Sequence, residues 1–226
     1  MYRAGVFYFS GLFVLAIAAF WTTYFFPPKY ETDWHVHLHG LAMFAWVALL
    51  IAQAALIRGR NHALHRRLGR ISYGLVPVMV VSTLLLAGYR LRQKIDVDTL
   101  YFLYVQLALI GLLALSYSLA MANRHRPAVH MRFMVCAALT LVDPIVARLL
   151  YFHLGIDFPL VQVCTYGLVY AIILALIWND LRHGQRARVY PAMLVVFVVV
   201  QAPTFFLYER GAWRAFAQWY SLLPLP

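Results

Sequence analysis

Charge is what this chain has least of. Only 12% of its residues are Asp, Glu, Lys or Arg, about half the share a typical soluble domain carries. Acidic residues are the scarcest, 8 against 19 basic ones. With 64% of its 226 residues hydrophobic, the chain has too little polar surface to coat a water-soluble fold. Cysteine is nearly absent as well. Cys136 and Cys164 lie in different apolar stretches, expected near opposite surfaces, beyond the ~7 Å Cα separation a disulfide tolerates. They read as small core residues. No GxSxG, Walker, GxGxxG or HExxH pattern occurs, so those signatures of hydrolases, nucleotide-binding folds and zinc proteases are missing. No low-complexity linker interrupts the chain, which predicts a single domain over residues 1–226.

What the chain does have is a succession of long apolar runs. About 20 residues at ~1.5 Å each match the ~30 Å hydrocarbon layer of a bilayer. Seven runs are expected to cross it: 4–26, 34–57, 68–89, 99–122, 129–152, 158–178 and 190–208. The predicted fold class is therefore all-α, a polytopic membrane bundle of seven transmembrane helices. Pro27 and Pro28 should stop the first helix, and Pro159 and Pro191 should fall in first turns. Pro77, Pro144 and Pro203 should kink helix interiors, because proline removes a ladder hydrogen bond. The first run follows Met1-Tyr2-Arg3, a signal-peptide charge pattern, yet it outlasts the ~7–15 apolar residues of a cleavable core. Trp21, Tyr24 and Phe25 close it with an interfacial aromatic cluster, so a retained first helix is expected. The tail 209–226 carries Arg210, Arg214 and Gln218 at every fourth position, with Trp213, Phe216 and Tyr220 on another face. That spacing predicts a C-terminal interfacial amphipathic helix.

Basic residues set the orientation. One side collects Arg3, Arg58, Arg60, Arg66, Arg67, Arg70, Arg124, Arg126, Arg132, Arg182, Arg186 and Arg188. The other has Lys29, Arg90, Arg92, Lys94, Arg148, Arg210 and Arg214. The positive-inside rule then predicts an inner-membrane protein with a cytoplasmic N-terminus and a periplasmic C-terminus. The same rule accounts for the net charge of +11, so no nucleic-acid partner is expected.

Nine histidines are unevenly spread, and the functional expectations rest on them. Trp34-His35-Val36-His37-Leu38-His39 opens the second run. In a helix His35 and His39 share one face, the spacing by which two imidazoles are offered to one metal. The plainer alternative is that these imidazoles bond headgroups and neighbouring carbonyls. The fifth run carries Asp143-Pro144, then Arg148, with His153 at its outer end. A carboxylate and a guanidinium inside a span are costly unless paired or facing a polar cavity. Either a structural ion pair or a site is expected there. On the inner side, Ala63-Leu64-His65-Arg66-Arg67-Leu68 resembles Ala128-Val129-His130-Met131-Arg132-Phe133, as though two hairpins were parallel copies. His65 and His130 would then converge, with arginines suited to phosphate headgroups or haem propionates. Plain helix-start residues in a basic loop are the alternative. Gln53, Gln106, Ser116, Ser118, Thr140, Gln162 and Gln201 read as interhelical hydrogen-bond partners.

Several of these residues form a larger pattern. His39-Gly40 opens a helix containing Gln53; His65-Arg66-Arg67-Leu68-Gly69-Arg70-Ile71-Ser72-Tyr73 follows; His130-Met131-Arg132-Phe133-Met134 leads into Ala147-Arg148. The segment from Trp34 to His153 thereby resembles the bacterial membrane proteins grouped as domain of unknown function 2306. The resemblance implies a multi-helix inner-membrane fold and no established activity. Ser72, Phe133, His35 and His37 depart from that pattern. The HRxLG element is also similar to the histidine loop of the transmembrane b-type cytochromes that move electrons from ascorbate. Those bind two haems by histidine pairs within four helices, whereas here the second and fifth runs carry histidines only at their ends.

Three functions are therefore weighed. The first is a redox or electron-transfer-linked component holding haem b or a transition metal near the outer surface. Its cofactor residues would be His39, His153, His65, His130 and Arg148, and its metal set His35, His39, His153 and Asp143. A quinone-linked role would follow. The second is a small transporter or lipid-handling protein, with anionic lipid at the inner arginines. The third is an accessory subunit of a larger respiratory or photosynthetic membrane complex.

Overall fold

A computed structural model describes residues 4–26, 33–185 and 188–225. Among these, every regular element is helical and none is a strand. Six helical stretches are long and apolar enough to cross a membrane: Gly5–Phe25, Trp34–Arg58, His62–Gln93, Val97–Ala122, Pro127–Leu154 and Leu160–Arg182. The last apolar run forms a shorter helix, Val189–Phe205. Pro27 and Pro28, the expected stop of the first helix, lie outside the described residues, as do Arg3, Lys29 and Arg186. The chain divides into two compact units, Met1–Tyr89 with Leu225–Pro226, and Arg90–Pro224.

In the first unit, α1 (Gly5–Phe20) runs into a π-helical turn, Trp21–Phe25, and packs on α2 (Trp34–Arg58). Phe13, Phe20 and Phe25 meet the Phe44 ring edge-on, the arrangement that brings ring edges onto the electron-rich face. Asp33 caps α2 by accepting from the His35 N–H at 3.2 Å, filling an orphan donor of the first turn. After α2 the chain turns through Arg60, whose φ of 57° is left-handed, a conformation costly for a side-chain-bearing residue. Asn61 then caps the short α3 (His62–Gly69), accepting from Leu64 N–H at 3.0 Å. The third expected run is thus a corner helix followed by α4 (Ser72–Gln93). Pro77 sits in the second turn of α4, which continues past it.

The second unit holds α5 (Val97–Ala122), α6 (Pro127–Leu139), α7 (Val142–Leu154), α8 (Leu160–Arg182), α9 (Val189–Gln201) and α10 (Gly211–Ser221). Helix α5 packs on α6 and α9, and α8 packs between α7 and α9. Asp96 caps α5, accepting from the Thr99 N–H at 2.8 Å and hydroxyl at 2.6 Å, beside Lys94 at 2.6 Å. The Lys94 and Thr99 bonds hold the Asp96 carboxyl well below the ordinary carboxylate range.

The expected kink at Pro144 is a full break three to four residues earlier, at Thr140–Leu141. Its position is that of the carbonyl a proline ring strikes, residue i−4, which is Thr140. Pro144 itself then falls in the first turn of α7, where its missing N–H is harmless. Gly155 ends α7 at φ 66°, a left-handed cap that glycine adopts without penalty. Pro203 behaves similarly, lying in the 3₁₀ turn Ala202–Phe205 that ends α9 rather than inside it. Pro191 is in the first turn of α9 as expected, and Pro159 is the residue just before α8. Cys136 is buried, Cys164 exposed, and both are free thiols. In α10, Ala217 and Tyr220 are buried and Arg214 and Gln218 exposed, while Trp213 Nε1 donates to the Leu100 carbonyl at 3.0 Å.

Candidate functional site

The histidines at the start of α2 separate to different partners. His35 is buried, its Nδ1 2.7 Å from Asp33 Oδ1, and its ring is stacked between Trp34 and Tyr89. Partial burial works against the Asp33 charge, yet the bonds from the His35 ring and N–H outweigh it and hold this carboxyl below its ordinary range. His37 is exposed, 2.8 Å from the Tyr24 hydroxyl. His39 Nδ1 lies 3.3 Å from Thr83 Oγ1. That hydroxyl gives its proton to the Met79 carbonyl at 2.7 Å, so His39 is the donor to it. His153 is exposed at the end of α7, about ten residues or ~15 Å of helix beyond buried Asp143. His35 and His39 belong to the first unit, Asp143 and His153 to the second. Among the described residues no group of three or more His, Cys, Asp or Glu side chains is placed to hold a metal ion.

At the α2–α3 and α5–α6 corners, the paired positions of the proposed repeat do the same job. With its amide turned to suit both neighbours, Gln53 of α2 donates to His65 Nδ1 and to the His65 carbonyl, and accepts from Gly69 N–H at 3.0 Å. His130 Nδ1 donates to the Ala120 carbonyl of α5 at 2.9 Å. Each imidazole ties a new helix back to the one before it. His62 and His125 are exposed.

Two polar clusters occupy the interior of the second unit. In the first, Arg132 of α6 makes a two-pronged ion pair with Asp180 at the end of α8, Nε to Oδ2 at 2.7 Å and NH2 to Oδ1 at 3.1 Å. The guanidinium also donates to the Ala128 carbonyl at 2.9 Å and to Gln185 Oε1, and faces the Tyr190 ring. Arg132 and Asp180 are each 3% exposed. By sequence alone Arg132 reads as one of the basic helix-start residues of the cytoplasmic side, and Asp180 carries no expectation. A signal was available: a carboxylate in the last turn of a helix opposes the macrodipole and needs a cation.

The second cluster surrounds Asp143, 2% exposed at the start of α7. Its Oδ1 accepts from the Gln162 amide and from the Thr165 hydroxyl, both on α8. Gln162 Oε1 in turn accepts from the Tyr101 hydroxyl of α5 at 3.2 Å. One residue along α8, Tyr166 bonds Thr204 at 2.9 Å. Gln201 lies on the same buried stripe as Thr204, fully buried with neither amide atom hydrogen-bonded. Arg148 donates to the Pro144 carbonyl at 3.1 Å and acts electrostatically on Asp143. Asp143 and Arg148 were legible in the sequence; Thr165, Tyr101 and Tyr166 were not, since hydroxyls in apolar runs are common.

With helices as its only regular elements among the described residues, and six stretches long and apolar enough to cross a bilayer, the chain is a multi-pass membrane protein by length and composition. Comparison with protein-family models, with curated proteins and with solved structures returned no match.

Proposed function

We propose that this chain is a small seven-span transporter of the inner membrane, with its binding region in the polar interior of the second unit. The supporting observation is the Asp143 cluster. A carboxylate inside an apolar span is expensive to keep, and here it is held at a broken helix by Gln162 and Thr165 of α8. Broken helices carrying polar groups at mid-span are the common architecture of transporter binding sites. The shorter Val189–Phe205 helix serves as the seventh crossing in this reading. Helix α10 then lies in the outer interface, and the N-terminus is cytoplasmic.

Uptake by the full chain reconstituted in vesicles tests this. A panel of alkali cations, organic acids, amines and amino acids is screened for thermal stabilisation, and any stabilising solute is assayed for uptake. Asp143→Asn and Arg148→Gln should each abolish the uptake. Transport that neither variant alters refutes the proposal. The competing redox reading draws on the anchored imidazoles of His35 and His39, since ligating histidines have their second nitrogen fixed in this way. A Soret band or stoichiometric metal in the purified protein would favour it.

A further inference from the structure

We propose that Asp143 is a reversible proton-binding position, its Oδ2 taking a proton from water so that the carboxylate becomes a neutral carboxylic acid. In the transporter reading, on which this half of the inference rests, H⁺ is the coupling ion.

The partners of Asp143 carry the inference. Gln162 and Thr165 both address Oδ1, and none of the described hydrogen bonds reaches Oδ2. Both partners are neutral, so they stay in place whichever charge the carboxyl carries. They also exclude a metal-like cation as the favoured occupant. Gln162 turns its NH₂ toward Asp143 while its oxygen is engaged by Tyr101, and Thr165 turns its O–H the same way. The shell therefore presents hydrogens, the positive ends of its dipoles, where a coordinated cation needs oxygens. A proton on Oδ2 requires only an acceptor. At the break before α7 the Thr140 carbonyl lacks its usual helical donor, because Pro144 at i+4 has no N–H to give it.

The charged and titratable surroundings agree. From α5 comes Tyr101, from α8 Tyr166, and from α7 itself Arg148, which lies in turn within electrostatic reach of Arg90. On α6, Arg132 is committed to Asp180 and Cys136 is a buried thiol. Arg148 is the one cation acting on Asp143 among the described residues. Arg148 donates to the Pro144 carbonyl and acts on Asp143 through its charge, whereas Arg132 meets Asp180 in a two-pronged pair.

Infrared difference spectroscopy of the full chain in lipid nanodiscs, on stepping from alkaline to acidic buffer, is the test. The expected result is a carboxylic C=O band that grows on acidification and is lost in Asp143→Asn. In Asp143→Glu it should persist at a shifted frequency. Should Asp143→Asn fail to fold, Thr165→Val serves instead, moving the band because a hydrogen-bond donor to the carboxyl is gone. A wild-type spectrum without such a band, or a band that Asp143→Asn or Thr165→Val leaves untouched, overturns the proton site. Uptake that ignores an imposed pH gradient overturns the coupling. A titrating band without uptake of any solute sinks the transporter reading alone; uptake without the band sinks the proton site alone.

Discussion

Breaking the Arg132–Asp180 pair should be among the most damaging single changes this protein can suffer. Both groups are 3% exposed, and removing one member of a buried pair leaves an uncompensated charge at a cost of ~3–5 kcal/mol. The two single variants should differ, and the surroundings say in which order. Asp180→Ala leaves the guanidinium still bonded to the Ala128 carbonyl and Gln185, so its cost belongs near ~3 kcal/mol. Arg132→Ala strips the Asp180 carboxylate of two donors at the negative end of α8, where the macrodipole adds to its cost. It should approach ~5 kcal/mol. The double variant Arg132→Met/Asp180→Leu removes both charges and should recover to within ~1 kcal/mol of the parent. Reversible unfolding of the full chain in mixed detergent micelles, read by tryptophan fluorescence, measures all three. A single variant within ~0.5 kcal/mol of wild type, the range of ordinary surface changes, would refute the reasoning. So would a double variant as unstable as the sum of the singles.

Other expectations are simpler. Gln53→Leu should cost ~1–3 kcal/mol by leaving the His65 ring and Gly69 N–H without their partner, measured in the same unfolding assay; no loss would mean the corner is held some other way. Asp96→Ala should remove a cap worth ~1 kcal/mol at neutral pH. Because Lys94 and Thr99 depress the folded carboxyl, the gap from wild type should be full above about pH 4, the unfolded carboxylate value. It should close as pH falls further toward the depressed folded value, and a gap that widens on acidification would contradict the assignment. Single cysteines placed at Arg124 and at Asp157 in a Cys136→Ala/Cys164→Ala background should label from the inner and outer side respectively with a membrane-impermeant reagent. The reverse pattern would invert the proposed orientation.

The features legible in the sequence are those written in local spacing. Apolar run length marks Trp34–Arg58 and Val97–Ala122 within a residue or two, because each helix satisfies its own backbone and must match the bilayer. Pro144 announced a disturbance, and only its form, a break at Thr140 instead of a bend, needed coordinates. The polar interior was legible on one side only. Asp143 stands out as an acid in an apolar run, but its partner Thr165 and the Tyr101 that bonds Gln162 come from other helices, and a hydroxyl in a span carries no mark of what it faces. Asp180 was hidden differently: its neighbours in sequence are a loop, while its function is set by Arg132 on another helix.

The histidines teach the converse lesson, and it bears on where chemistry is sought in this chain. They are the most conspicuous feature of the sequence, yet His65 and His130 are occupied in holding consecutive helices together, through Gln53 and the Ala120 carbonyl. An imidazole suits that task, because one ring offers both a donor and an acceptor at fixed angles, and a corner between two spans has carbonyls and amides to satisfy. The repeat-like hexamers around them share a corner geometry. Their one divergence is telling. Arg67 is exposed while its counterpart Arg132 is buried against Asp180, so the second copy has an acid to meet and the first has none among the described hydrogen bonds. With only 8 acidic residues in the chain, each one placed inside a helical span is a costly commitment. Of the two buried acids, Asp180 is consumed by structure, and Asp143, whose described hydrogen bonds come from neutral groups alone, is the one proposed to bind a proton.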